Sequence, residues 1–271
     1  FDSAWVAQHH FHEQEGGLPS PLLFLAHVGA VTRNIRLGTA IITLPMENAI
    51  RVAEDAAVLD LLTGGRLELG LGSGGTPSSF EPFGLSFEQR GQVFANHLGT
   101  LQQAWQGQAL ADTANHLYPA ASGLTDKIWI ATFSVAGAEK AGKAGHGLML
   151  SRTQPRPEGQ PELPLDALQN PMIDAYLAAL PSGVAPRILA SRTAFVAADR
   201  QYARKVALPG LTAQAAAYRQ SGHQLRGETL DDFIGQFDAH IGDPPDVLSS
   251  LLQDSCLSRV TDISFQVHSV E

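Results

Sequence analysis

The chain has 271 residues, of which 44% are hydrophobic and 17% are charged, so it can bury one large core or two smaller ones. Its formal net charge of -9 disfavours nucleic acid and anionic membranes as partners, and no apolar run is long enough to span a bilayer. The single cysteine, Cys256, excludes internal disulfides and thiolate metal clusters and favours a reducing, cytoplasmic location.

Two patterns alternate along the chain. Runs rich in Val, Ile, Leu and aromatic residues predict seven strands, at 3–8, 35–44, 66–72, 127–134, 147–152, 187–196 and 261–269. Stretches with helical spacing lie mostly between them, at 22–31, 48–62, 87–105, 135–144, 173–180 and 198–220. Strands that alternate with helices predict parallel pairing through crossover helices.

This order favours a (β/α)8 TIM barrel over a dinucleotide-binding fold, because no Gly-x-Gly-x-x-Gly follows the first strand. A barrel of this kind has eight strands, and seven are predicted here. The chain starts in a predicted strand and without methionine. We therefore expect one barrel domain over residues 1–271, with the first β/α unit before Phe1 and the last helix after Glu271 not represented.

Two segments depart from the repeat. Residues 108–126 form a polar insertion. The proline-rich residues 153–171 leave the C-terminal end of a predicted strand, which is compatible with a lid over the site and equally with a surface loop. Residues 222–255 predict short helices at 230–240 and 245–253.

Polar residues and glycines collect at the predicted C-terminal ends of six of the seven strands, where barrel enzymes carry their chemistry. They are His9, His10, Thr43, the glycine-rich residues 72–75, Thr132, Ser134, Ser151, Arg152 and His268.

The histidine-rich end of the first strand, "QHHFH", raises the question of a metal site. Adjacent His9 and His10 point to opposite faces of a strand, so they cannot comfortably bind one metal ion, and we expect none. An acid/base role for one of them is the better functional interpretation, and a structural imidazole is the alternative. Ser134 can be an ordinary helix N-cap or part of a phosphate site.

Several segments carry a resemblance to a known family: "FDSAWVAQHHF", "RNIRLGTAIITLPMENAIRVAEDAAVLDLLTGGRLELGLGSG", "FEQRG" and "ATFSVAGAEKAGKAGHGLMLSR". In this order they resemble the bacterial luciferase-like, flavin-dependent monooxygenases, and among them the FMN-dependent enzymes more than the luciferase subunits. The resemblance implies a (β/α)8 barrel with reduced FMN at its C-terminal mouth. It also implies dioxygen and a small organic molecule as substrates, a separate flavin reductase and a homodimer.

The resemblance assigns catalytic roles at the end of the first strand and a flavin contact on the second. His9 matches the family's catalytic histidine and His10 its neighbour, whereas Gln8 stands where relatives commonly have a glutamate. Ala40 and Ile41 match the segment beside the flavin ring, where some relatives have a cis peptide bond.

The phosphate of FMN is assigned in the same way. Gly72 and Ser73 match a loop where many relatives carry an arginine, and Ser73 removes that positive charge. Arg90 matches a second arginine that contacts phosphate. The remaining expected cofactor-binding residues are Thr132, Phe133, Ser134, Val135, Ala136, Ser151 and Arg152.

Three other functions stay open at this point. A hydride-transferring oxidoreductase that uses a deazaflavin occurs among relatives on the same fold. A flavin-binding protein without catalysis is compatible with the changes at Gln8 and Ser73. A zinc hydrolase on a barrel is the most distant alternative.

Overall fold

The computed structural model describes residues 1–11, 17–111, 113–220, 222 and 224–267. His12 and His268 lie outside the described residues. The strands described are β1 (Ser3–Val6), β2 (Arg36–Thr43), β3 (Leu67–Gly72), β4 (Ile128–Ala131), β5 (Gly147–Leu150), β6 (Ile188–Val196), β7 (Ala239–Gly242) and β8 (Asp262–Gln266). The α-helices described are α1 (Pro21–Val31), α2 (Ala49–Leu62), α3 (Arg90–Trp105), α4 (Val135–Lys143), α5 (Leu165–Ala179), α6 (Arg200–Gln220), α7 (Leu230–Gln236) and α8 (Pro244–Gln253).

The chain divides into two compact units. The first unit comprises residues 1–131 and 145–147, and the second comprises residues 132–144 and 148–271. In the first unit β1 to β4 pair in chain order, and every pairing is parallel. In the second unit β5, β7 and β8 each pair in parallel with β6. The single domain expected over residues 1–271 stays a prediction.

The core of the first unit forms where the apolar strands meet the alanine-rich face of α2. Leu67, Leu69 and Leu71 on β3 are fully buried, and so are Ala53 and Ala56 on α2. Strand β3, "LELGLG", is buried along nearly its whole length, with its three leucines on one face and its glutamate and two glycines on the other.

In the second unit α6 presents a stripe of small residues to α7 and β7. Ala203, Ala207, Leu211 and Ala215 recur every four residues on one face of α6, which is the spacing of a buried helical stripe. They pack in one cluster with side chains of α7 and β7, which include Phe233. Among the described residues, no helix combines the length and apolar character needed to cross a membrane.

The structure corrects two sequence-based boundaries in the second unit. The count of seven strands was one short, because β7 lies in the segment predicted as helices and pairs with residues 193–196 of β6. Its sequence, "AHIG", has a histidine and a glycine among four residues, so it lacks the apolar run that marks the equally short strands β4 and β5. The predicted loop 153–171 ends at residue 164, since α5 begins at Leu165 and contains Pro171. One face of α5 buries five residues across this proline, and their packing outweighs its helix-breaking tendency.

Candidate functional site

The side chain of Gln8, two residues after β1, is almost fully buried and fully bonded. Its Oε1 accepts a hydrogen bond from the backbone N–H of Thr43 at 2.7 Å. Its Nε2 donates to the Pro19 carbonyl at 3.0 Å and to Glu47 Oε1 at 2.6 Å. These bonds bring the carboxylate of Glu47 to the end of β1.

His10, two residues after Gln8, lies in aromatic surroundings. Its ring is 5.0 Å from the Phe83 ring, in an edge-to-face arrangement, and 5.8 Å from the Phe11 ring. Burial lowers the pKa of His10, while the charge of Glu47 raises it and that of His9 lowers it. The Nε2 atom of His10 is buried and has no hydrogen-bond partner within the described residues. His10 therefore favours the neutral imidazole, which can accept a proton.

His9 is partly buried and anchored through its backbone. Its N–H donates to the Leu18 carbonyl at 3.1 Å, and the N–H of the preceding Gln8 donates to the Ile41 carbonyl at 3.1 Å. The end of β1 is thus held both to β2 and to the segment before α1.

The predicted flavin-ring segment lies at the same end of β2. The peptide bond between Ala40 and Ile41 is cis. Gly72 faces the Ile41 side chain so closely that a Cβ at Gly72 would come within 2.6 Å of it. Gly74 has φ +82° and a similarly close approach to Thr43, so a glycine suits this position. Ser73 between them is partly buried.

Arg90 is the first residue of α3 and is held by Phe87, three residues before it. Its guanidinium carbon lies 3.7 Å from the centre of the Phe87 ring, and its Nη1 donates to the Phe87 carbonyl at 2.8 Å. Its Nε and Nη2 have no hydrogen-bond acceptor in the part of the chain that the structure describes. A stacked guanidinium with free donors suits an anionic ligand.

In the second unit the residues predicted to hold phosphate form the start of α4. Ser134 is the N-cap, since its Oγ accepts from the N–H of Gly137 at 3.1 Å. Thr132 Oγ1 accepts from the N–H of Ser134 at 3.2 Å. The N–H groups of Val135 and Ala136 lie in the first helical turn, where no intrahelical acceptor exists. The cap is confirmed, and the exposure of residues 133–136 leaves these donors accessible.

The predicted residues after β5 are less exposed. The carbonyl of Ser151 accepts from Gln169 Nε2 at 2.8 Å. Arg152 is partly buried, and its Nη1 donates to Thr193 Oγ1 at 3.4 Å, which is a long hydrogen bond.

The following loop, residues 153–164, is held within the second unit by an ion pair that the sequence did not indicate. Nη2 of Arg156 donates to both carboxylate oxygens of Asp238, at 2.6 and 2.8 Å, and both side chains are largely buried. Gln154 also donates to the Phe133 carbonyl at 3.1 Å. The lid role of this segment stays a prediction.

The described residues contain no group of three His, Cys, Asp or Glu side chains that could hold a metal ion. The groups brought together at the end of β1 are instead an imidazole, an amide and a carboxylate. They can exchange a proton and hold an organic ligand.

Comparison with known proteins places this geometry in a family. The family model described as "Luciferase-like monooxygenase" matches residues 1–253. The chain belongs to the luciferase-like monooxygenase family. The prediction made from the sequence segments is thereby confirmed, together with the α/β fold class.

Individual relatives match over shorter stretches. The chain is 42% identical to 4-hydroxyprotoasukamycin monooxygenase of Streptomyces nodosus subsp. asukaensis over 85 residues, which are 31% of this chain and 23% of that protein. Across the first three curated relatives, the chain covers between 23% and 45% of their length.

Two solved structures extend the fold comparison over nearly the whole chain. The oxygenating constituent of 3,6-diketocamphane monooxygenase from Pseudomonas putida, in complex with FMN, has a TM-score of 0.75 at 17% identity and covers 98% of this chain and 82% of its own. The coenzyme F420 dependent tetrahydromethanopterin reductase from Methanopyrus kandleri has a TM-score of 0.66 at 15% identity, with 97% and 84% covered. At these identities the likeness establishes the fold.

Sequence reasoning missed Glu47, Phe83 and the Arg156–Asp238 pair. Glu47 directly precedes the N-cap of α2 and follows the end of β2 by four residues, so an inspection extended past the strand ends would have included it. Phe83 and Asp238 had no local signal, because each lies far along the chain from its partner.

Proposed function

We propose that this chain is the oxygenating component of a two-component monooxygenase that uses reduced FMN and dioxygen on a small organic substrate. The main support is membership of the luciferase-like monooxygenase family over residues 1–253. In such a reaction reduced flavin supplies two electrons, one oxygen atom enters the substrate and the other leaves as water. A separate reductase would supply the flavin, as the "oxygenating constituent" of the diketocamphane enzyme also suggests.

Each unit has residues whose chemistry suits a part of FMN. In the first unit, Ala40 and Ile41 would lie against the ring, next to Gly72 and Ser73. Arg90 would contact phosphate with its free Nε and Nη2 donors. In the second unit, phosphate would be held by the N–H groups at the start of α4 and by the hydroxyls there, while Phe133 would add an apolar contact. The donor chemistry favours this assignment, since a helix N-terminus and an arginine fork both prefer anions.

The catalytic proton transfer is assigned to His9 and His10. Burial lowers the pKa of His10 and so favours the neutral imidazole, and its buried Nε2 has no hydrogen-bond partner among the described residues. Gln8 holds Glu47 close by, where the carboxylate can stabilise the protonated imidazole. The aromatic rings of Phe11 and Phe83 lie against this histidine and cover part of it.

A deazaflavin-dependent oxidoreductase is the second candidate, supported by the likeness to the F420-dependent reductase. The description of the matching family model, a monooxygenase, makes FMN the first choice. The homodimer expected from the family is part of the proposal, with exposed Leu61 and Leu62 of α2 as candidate contacts.

The deciding experiment is an anaerobic titration of the full chain with reduced FMN and, separately, with reduced F420, followed by tryptophan fluorescence. Stopped-flow mixing with oxygenated buffer then compares the reoxidation of bound and free FMN. We expect FMN binding and an altered reoxidation time course that His9→Asn or His10→Asn changes without weakening binding. Preferential binding of F420 would establish the second candidate, binding with unaltered reoxidation would indicate a non-catalytic flavoprotein, and no binding of either would overturn both assignments.

A further inference from the structure

Three arginines of the second unit with limited exposure differ in how their charge is balanced. Arg192 is fully buried, and its Nε donates to Asp254 Oδ2 at 2.6 Å. Arg156 makes its ion pair with Asp238. Arg152 has no carboxylate partner within the described residues, and its one hydrogen bond there is the long contact with Thr193.

A cation removed from water without a counter-charge is unfavourable, so proteins normally pair such groups or keep them for a ligand. Burial alone lowers the pKa of the Arg152 guanidinium, with no charged neighbour contributing. The two carboxylates that serve the other arginines are already engaged by them. The unbalanced charge of Arg152 therefore has no explanation in the packing of the unit.

The place of Arg152 in the fold suggests what balances it. It lies two residues after β5, at the C-terminal end of a parallel strand, where barrel proteins bind their ligands. Thr193, on the neighbouring strand β6, is 2% exposed, and its hydroxyl can add a further hydrogen bond to a ligand oxygen. A guanidinium fork beside a buried hydroxyl matches the geometry of a carboxylate or phosphate.

We propose that Arg152, with Thr193, binds an anionic oxygen group of the organic substrate, so that the substrate class is organic acids. This inference rests on the proposed monooxygenase function. The phosphate of FMN, to which the sequence assigned Arg152, is the other source of the same chemistry, and the experiment separates the two.

The substrate arm uses two pairs of probes that differ in charge, benzoate with benzamide and hexanoate with hexanamide, titrated calorimetrically into the full chain. We expect the wild type to bind each carboxylate at least about 10-fold more tightly than its amide, as a charge-assisted hydrogen bond predicts. Arg152→Gln should lose this preference, and Arg200→Gln, at an exposed arginine of α6, should keep it. Absence of the preference in the wild type, or its persistence in Arg152→Gln, would overturn the proposal.

The cofactor arm compares reduced FMN with reduced riboflavin, which lacks the phosphate, under anaerobic conditions. Equal binding of FMN by wild type and Arg152→Gln supports the substrate assignment. A loss of about 10-fold for FMN with no loss for riboflavin would move Arg152 to the cofactor phosphate and overturn it. Failure of the wild type to bind reduced FMN would contradict the proposed function instead. The carboxylate titrations do not involve FMN, so the two failures can be told apart.

A stability measurement distinguishes a ligand-binding arginine from a structural one. Because Arg152 has no counter-charge, Arg152→Gln should leave the Tm of the ligand-free protein unchanged or raise it. Arg156→Gln should lower Tm, since it leaves the largely buried Asp238 unpaired. A fall in Tm for Arg152→Gln as large as that for Arg156→Gln would identify a structural arginine and contradict the proposal.

Discussion

Glu47 lies 39 positions from Gln8 in the chain, yet their side chains are joined by a 2.6 Å hydrogen bond. A glutamine with both amide hydrogens and its oxygen engaged has one orientation only, because reversing the amide would face donors with donors. A carboxylate from a distant segment of the chain is therefore held at the end of β1, and its charge acts on His10.

Replacement of Glu47 tests this arrangement through the titration of His10. Glu47→Gln removes the negative charge that raises the pKa of His10, so burial acts unopposed and the pKa should fall further. The measurement is an NMR pH titration, with His10→Asn to assign the resonance. Glu54→Gln, an exposed residue of α2 paired with Arg51, is the control and should leave the titration unchanged. An unchanged His10 titration in Glu47→Gln would show that the carboxylate does not act on the imidazole.

Cys256 should be unreactive in the folded protein. The thiol is fully buried, and burial raises its pKa to about 12, so the nucleophilic thiolate is scarcely populated near neutral pH. We expect no reaction with a disulfide reagent such as DTNB until the chain unfolds. Leu252→Cys, at an exposed position of α8, provides the comparison and should give one fast-reacting thiol per chain. Rapid labelling of the native wild type would mean that the segment around Cys256 opens readily.

Among the helices, the contact of α4 with α5 depends on a glycine. A Cβ at Gly142 would come within 2.4 Å of the Tyr176 carbonyl oxygen, a backbone atom that cannot turn away. Gly142→Ala should therefore lower the free energy of unfolding by about 1–3 kcal/mol, the usual cost of overpacking. Gly99→Ala in α3, where a Cβ meets nothing within 4 Å, should raise it by about 0.5–1 kcal/mol through helix propensity. Chemical denaturation of both variants measures the difference, and equal effects would refute the close packing.

The same elements show which parts of the structure could be predicted from sequence. Helix α2 begins and ends within one residue of the prediction, because both of its ends carry local signals. Asn48 is its N-cap, and Thr63 with two glycines follows its last residue. The Ser134 cap was predictable for the same reason. Strand β7 was not, since "AHIG" has no apolar run and its pairing with β6 involves residues more than 40 positions away. The Gln8–Glu47 and Arg156–Asp238 contacts likewise depend on the folded chain.

For the molecule as a whole, the buried histidines make stability depend on pH. His240 on β7 shares a 2.8 Å hydrogen bond between its Nδ1 and Ser250 Oγ. Burial, assisted by Arg192, lowers the pKa of His240, although Asp254 opposes this. His10 is shifted in the same direction. In the unfolded chain both imidazoles take up a proton near pH 6.5, whereas the folded chain does so only at lower pH. Acidification through this range therefore favours the unfolded state.

We expect the free energy of unfolding to decrease as pH falls from about 7 through about 6.5. The contribution of these two histidines stops growing at the lower pH where the folded protein also binds the protons. His240→Gln should reduce the decrease, because glutamine does not titrate and can still bond to Ser250. Urea denaturation at pH 7.5 and 5.5 gives the comparison. An equal loss of stability by wild type and His240→Gln between these pH values would contradict this prediction. The titration of His240 would then have no part in the pH dependence, and the lowered pKa attributed to its burial would be wrong.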